Sequence, residues 1–561
     1  MAASSISVRS LWWIVTLFLF GVRALAAPQA TTAPPSTISG GGYRIAGTVV
    51  SKADGRPLAR TRVTIRDAKD SQKFQSMITS EDGKYEFVGL PSGKYSLQGA
   101  KRGFISASYD QHDQFSTAIV TGVGLDTETL LLRLAPDAVI AGKVLDETGE
   151  PVRRATVTLY FDDHSEGMDH VHQSNSAQTD DLGEYEMTPL RPGTYFLSVS
   201  GKPWYAVHPP SERAHSGSDQ PEEAPPAVDR SLDVAYPVTY YPDVTEADDA
   251  MPIPIRGGEH IEADLHLNPV PSLRLFFRVP DDGRHGYTFP QLEQPAFDGY
   301  TPVQRNGVRM VSPGLMEIMG IPAGRYNVRL FGQGPSLEMN GVDLTKDGEE
   351  VDTSKADAMG SVKVSVQILG EPTLPAQLTV GLRSAGRAAA VSQSLDSKGE
   401  AELQRVAAGQ YEVSVWGGTV RYSIARISAE GAAVSGHTLT VAAGSSPSVS
   451  LTLVSGSAQV QGTVTREGKG FAGAMVVLVP KNPEVNRDLF RRDQSDLDGT
   501  FALRGVVPGP YTLLAIENGW DLDWSQPGVI GAYLKWGRKI EISGQGSRTM
   551  NVAEAIEVQS K

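Results

Sequence analysis

Asp82-Gly83-Lys84-Tyr85-Glu86-Phe87-Val88-Gly89-Leu90-Pro91-Ser92-Gly93-Lys94-Tyr95-Ser96-Leu97 reads as turn, strand, turn, strand. Asp82-Gly83 is a tight-turn dipeptide, because glycine adopts positive φ at no steric cost. Tyr85 and Phe87 alternate with polar neighbours, as in a half-buried strand. Pro91-Ser92-Gly93 turns the chain again. Tyr95, Leu97 and Gly99 then share one face of a second strand. The pattern recurs. Gly83/Tyr95, Gly183/Tyr195, Gly314/Tyr326, Gly399/Tyr411 and Gly499/Tyr511 all stand in the same register, and Gly93, Gly193, Gly324, Gly409 and Gly509 each lie two residues before the tyrosine. A fixed motif repeated at intervals of roughly one hundred residues means a tandem array.

Working outward, the array predicts five modules, each long enough for one hydrophobic core. Their expected bounds are 43–134, 135–267, 268–350, 351–457 and 458–561. Short alternating strands separated by turn signals predict an all-β chain of Greek-key β-sandwiches. The opening strands carry Ile45, Gly47 and Val49, then Ile140, Gly142 and Val144, and Val460, Gly462 and Val464. Module three opens on Leu273–Val279 without the glycine. Module four opens on Val362, Val364, Val366 and Ile368. By analogy with the tyrosine corner, each repeated tyrosine should fill a core edge and bond a backbone group through its hydroxyl. His208–Asp229, rich in Pro, Glu and Ser, reads as a polar insert in module two. Modules that touch mainly their neighbours predict an elongated array.

Residues 1–26 have the form of a secretory signal peptide: Arg9, an apolar run from Leu11 to Phe20, then Ala24-Leu25-Ala26. That run is short for a membrane span, so no stable span is expected after cleavage. Residues 27–42, rich in Thr, Pro, Ser and Gly, read as a flexible linker. The expected location is periplasmic, extracellular or in the cell envelope. A net charge of −14 argues against nucleic-acid partners and against docking on anionic lipid. The absence of cysteine removes disulfides, thiolate–zinc sites and thiol catalysis.

Ile-x-Gly-x-Val, Gly-x-Pro, Ala-x-Val, Asp-x-Gly-x-Tyr/Phe and Gly-x-Tyr, in that order, resemble the carboxypeptidase regulatory-like domain. Modules one, two and five match the pattern well, and three and four match only at its second half. Val238-Thr239-Tyr240-Tyr241-Pro242-Asp243, and Asp523-Trp524-Ser525 through Ala532-Tyr533-Leu534, are similar to secreted bacterial proteins built from such domains. The resemblance implies a transthyretin-like sandwich of the carbohydrate-binding-like fold class. In the peptidases this domain accompanies a separate zinc catalytic domain, which needs a His-x-x-Glu pair. None of the ten histidines has Glu at +3. The chain therefore reads as non-enzymatic, with no catalytic residues and no cofactor.

Two clusters carry candidate chemistry. Asp162–His172 holds His164, His170 and His172; the last two, at i and i+2, share a strand face and could ligate Zn²⁺ or Cu²⁺ with a carboxylate. The alternative is a solvated hairpin loop. Acidic turns at Asp180-Asp181 and Asp496-Leu497-Asp498 could hold Ca²⁺, but serve equally as turn residues. Trp204, Tyr205, Tyr240, Tyr241, Trp520 and Trp524 could stack on sugar rings as exposed platforms, the alternative being packing between modules. The sequence thus predicts an envelope interaction or scaffold protein, with a cell-surface carbohydrate-binding protein as the second reading. Expected partners are envelope proteins or polysaccharide.

Overall fold

In each copy of the repeat, the opening strand buries alternate apolar residues: Ile45 and Val49, Ile140 and Val144, Leu275 and Phe277, Val362 and Val364, Val460 and Val464. In the computed structural model, which describes residues 38, 40–122, 124–209, 229–278, 289–303, 307–331, 336–370, 374–375, 377–384, 391–418, 421–456, 458–543 and 548–561, these strands head five two-sheet sandwiches. The signal-peptide reading, most of the linker and the interior of the polar insert lie outside the described residues.

One topology serves all five. The opening strand (Tyr43–Ser51 in module one) pairs antiparallel with the strand that follows the first repeat glycine (Lys84–Leu90) and parallel with the closing strand (Leu130–Leu134). The same three-way pairing is built around Ala138–Leu145, Val270–Arg278, Gly360–Ile368 and Ala458–Arg466. The second sheet pairs the second strand with the tyrosine strand, Arg62–Asp67 with Gly93–Ala100 in module one. Its counterparts do likewise. Five separate apolar clusters, one per sandwich, fill the space between sheets. β-branched and aromatic residues facing inward on both sheets make this burial possible.

The repeated residues explain the common plan. Gly83, Gly183, Gly314, Gly399 and Gly499 have φ between +72° and +81°, the left-handed region that glycine reaches freely. A Cβ on Gly83 would also lie 2.8 Å from the Val49 carbonyl oxygen. That close approach lets the Val49 N–H donate to the Gly83 carbonyl at 2.9 Å. Val144–Gly183, Val366–Gly399 and Val464–Gly499 repeat the bond. Twelve residues on, all five tyrosines are buried, and each hydroxyl donates to the carbonyl four residues upstream. The pairs are Tyr95–Pro91 at 2.9 Å, Tyr195–Arg191 at 2.9 Å, Tyr326–Pro322 at 2.5 Å, Tyr411–Ala407 at 2.9 Å and Tyr511–Val507 at 2.8 Å.

Three features differ from the sequence reading. Val234–Ala235, expected in module two, pairs with module three's opening strand. Glu349–Val351 and Asp357–Ala358 also belong to module three's sheets, which carries that module past residue 350. Backbone pairing decides membership here, and these short segments have no periodicity to announce it. Third, module five packs back against modules one and two, so the array closes instead of running on. Leu497 of module five lies against the core of module one, and its N–H donates to the Ala118 carbonyl at 3.0 Å.

Candidate functional site

The side chains with chemistry gather where modules meet. At the contact between modules one and five, the Ala118 N–H donates to the Asp496 carboxylate at 3.0 Å, and Lys94 pairs with the same carboxylate. Lys94 Nζ also donates to Thr500 Oγ1 at 2.5 Å. Gln494, buried, donates to the Asp110 carbonyl at 2.5 Å and to Thr117 Oγ1 at 2.8 Å. Its Oε1 accepts from His112 Nδ1 at 3.2 Å. His112 lies flat on Trp520, ring centroids 5.1 Å apart and planes 6° apart. Burial raises the Asp496 carboxyl, against the lowering effect of Lys94 and the Ala118 N–H. Burial likewise pushes Asp493, whose carboxylate accepts from the Ala502 N–H at 2.7 Å, up to about 6.

The His164 hairpin joins modules two and five. His164 Nδ1 lies 2.7 Å from Asp169, and Nε2 lies 2.9 Å from the Leu522 carbonyl and 3.5 Å from Asp523. Ser525 donates to the Gly167 carbonyl at 3.0 Å. Arg492 is nearly buried; it donates to the Ser165 carbonyl at 2.9 Å, pairs with Asp113 at 3.2 Å and lies 4.2 Å over the Trp524 ring. Burial lowers its guanidinium, partly offset by Asp113. One arginine therefore touches three modules.

The three histidines do not converge on a single ion site. His170 pairs with Asp298 of module three at 3.0 Å, and His172 packs edge-on to Phe161. They do share a strand face, ring centroids 5.9 Å apart, within His170–Gln178. His164, Asp169 and Asp523 bring their ligand atoms within 4.8 Å of one another. Both His164 nitrogens, however, already face oxygen acceptors. The candidate Ca²⁺ turns use their carboxylates on backbone: Asp180 accepts from the N–H groups of Leu182 and Glu184, both at 2.9 Å, and Asp498 from Thr500 at 3.0 Å.

The aromatic candidates divide. Trp204 is 81 % exposed and meets Tyr205 edge-on. Tyr205 is tied to Glu147. Tyr240 and Trp524, two of the candidate platforms, are buried. Tyr240 packs on Phe297 of module three, and Trp524 on Phe490 and Arg492. Tyr241 packs against module two's core, and Trp520 on His112. Packing between modules and along their own cores claimed these rings.

A half-open cleft of about 480 Å³ lies where modules two to five meet. Its charged walls are cross-linked. Arg383 of module four reaches Glu166 at 3.2 Å and Glu412 at 3.4 Å, and His437 faces Asp488 of module five at 3.4 Å. Nothing in the sequence spacing announces Arg383–Glu166 or His437–Asp488, because their members lie in different modules.

The chain carries two carboxypeptidase regulatory-like domains in tandem, matched at residues 44–125 and 139–217. A search of curated proteins found no match. Among solved structures, the Bacillus anthracis TIE protein is similar at 10 % identity over 74 % of each chain, TM-score 0.16. The streptococcal ancillary pilin is similar at 11 % identity over 55 % of this chain and 99 % of its own, TM-score 0.19. The Bacillus cereus major pilin subunit BcpA is similar at 10 % identity over 73 % and 98 %, TM-score 0.14. Scores this low carry no argument about arrangement or activity. No helix among the described residues is long and apolar enough to cross a membrane.

Proposed function

We propose that this is a non-enzymatic interaction scaffold of the cell envelope, exported by its N-terminal segment. The observation that carries the reading is where the charged and imidazole side chains go: Lys94, His164, His170, Arg383, Arg492 and Asp496 all tie one module to another. Side chains committed to joining modules leave the outer faces of a many-module body free to bind other proteins. Capture from envelope fractions with the intact, leaderless chain tests it. Recovery of a defined protein partner is expected; turnover of a peptide or glycan library by purified protein would overturn it.

One observation favours carbohydrate binding as a second reading: Trp204 stands open to solvent beside Tyr205. An exposed indole face stacks on sugar rings. A glycan array should then give hits with the intact protein that vanish in Trp204→Ala, with unchanged melting. No hit with intact protein removes this reading and leaves the scaffold.

A further inference from the structure

Among the described residues, module one meets the rest of the chain in two places. Around its junction with module two, Ile105 N–H donates to the Ala135 carbonyl at 2.9 Å and Asp137 N–H to the Gly103 carbonyl at 3.2 Å. The other place is the face against module five, some four hundred residues away in sequence, with Arg492 there also reaching module two. That face is mainly polar: Lys94, Asp496, Gln494, Thr117 and Thr500 make its bonds, with Leu497 and the His112–Trp520 stack as apolar anchors. Polar contacts between domains of one chain resemble transient interfaces and permit relative motion. The last strand of module one ends at Leu134 and the first of module two starts at Ala138, and a hinge this short favours exchange of the module between chains.

We propose that module one is an exchangeable docking unit, whose module-five-binding face takes module five of a second copy of this chain. The partner's fit is given by the closed chain itself, since the same two faces already match. Either face belongs to a different end of the array, so exchange is head-to-tail. It gives a closed dimer if two chains swap reciprocally and a longer assembly if they do not. Concentration sets the balance: a tethered face acts at an effective concentration on the order of millimolar, so exchange needs comparable protein or a weakened internal contact. This rests on the scaffold reading and names one partner for it.

Cysteine cross-linking tests the exchange, because the chain has no cysteine of its own. Leu497 N–H and the Ala118 carbonyl are bonded across the contact. The double variant Ala118→Cys/Leu497→Cys, oxidised at micromolar concentration, should bridge within one chain and migrate faster. The two single variants, mixed at about 1 mM before dilution and oxidation, should give a covalent heterodimer that neither gives alone. An internal bridge with no heterodimer would overturn exchange, and absence of the internal bridge would overturn the closure on which it rests. If either variant fails to fold, sedimentation of the unaltered protein decides: a mass that rises from one chain toward two or more with concentration supports the proposal, and a constant single-chain mass up to about 1 mM overturns it. Failure here leaves the scaffold reading intact, since partner capture from envelope fractions does not depend on self-assembly.

Discussion

Tyr95 and Gly83 do separable jobs within the same repeat. The Tyr95 hydroxyl donates to the Pro91 carbonyl while its ring fills the core edge. Tyr95→Phe removes one hydrogen bond and should cost about 1 kcal/mol. Tyr95→Ala removes the ring as well and should cost roughly 3–5 kcal/mol. Denaturant melts of the full chain, with hydrogen exchange to assign the loss to module one, check both; equal melting of wild type and Tyr95→Ala would remove the core role. Gly83 sits at φ +74°. Gly83→Ala should cost about 1–3 kcal/mol through left-handed strain, and the new Cβ would also crowd the Val49 carbonyl. By contrast Gly55, also at positive φ (+72°) but with nothing within 4 Å of an added Cβ, should lose only the conformational part.

At the scale of elements, the hairpin formed by Thr156–Asp163 and His170–Gln178 holds module five by its tip. Burial alone would lower the His164 imidazole, but the Leu522 carbonyl and the Asp169 carboxylate outweigh it, so the group is raised above its ordinary value. Both ring nitrogens then act as donors. A raised histidine stabilises the joined form fully below its ordinary pKa, near 6.5, and the contribution is lost as pH rises through the raised value. Asp162, Asp169, Asp521 and Asp523 all favour the charge on the ring, while the cations bound around the hairpin tip are Arg492 on the Ser165 carbonyl, Arg383 on Glu166 and Arg487 on Met168, with Lys561 on Asp521. Protection factors, that is exchange corrected for the intrinsic rise of amide exchange with pH, should therefore be higher in residues 164–169 and 519–526 at pH 5.5 than at pH 8, and His164→Gln should abolish the difference. Protection factors in wild type that do not change with pH would show that the imidazole does not titrate there.

For the whole molecule, closure predicts a radius well below that of five modules in a row. Gly473, at φ +78°, faces module one, and an added Cβ would lie 2.5 Å from Asp110 Oδ2. Gly473→Ala should wedge that contact open, and Lys94→Glu should do so by placing a carboxylate against Asp496. Small-angle scattering should give a larger radius of gyration for each, with the melting of the separate sandwiches little changed for Lys94→Glu. An unchanged radius in both would mean that the interface does not depend on these groups.

The plan of a single sandwich was legible in the sequence because it is local. Turn glycines, the twelve-residue spacing to the tyrosine and period-two alternation act over a few residues, and they predict the same strands in all five copies. The shared face of His170 and His172 was legible for the same reason. The fate of Tyr240, Trp524, His164 and Asp496 was not. An aromatic ring or a charged turn has one local signature whether it faces solvent or another module. Only the tertiary structure brings Asp496 to Lys94, 402 residues apart, and Trp520 to His112. Contacts so distant in sequence leave no periodicity behind, so the sequence determined the modules while packing between them decided that the array closes.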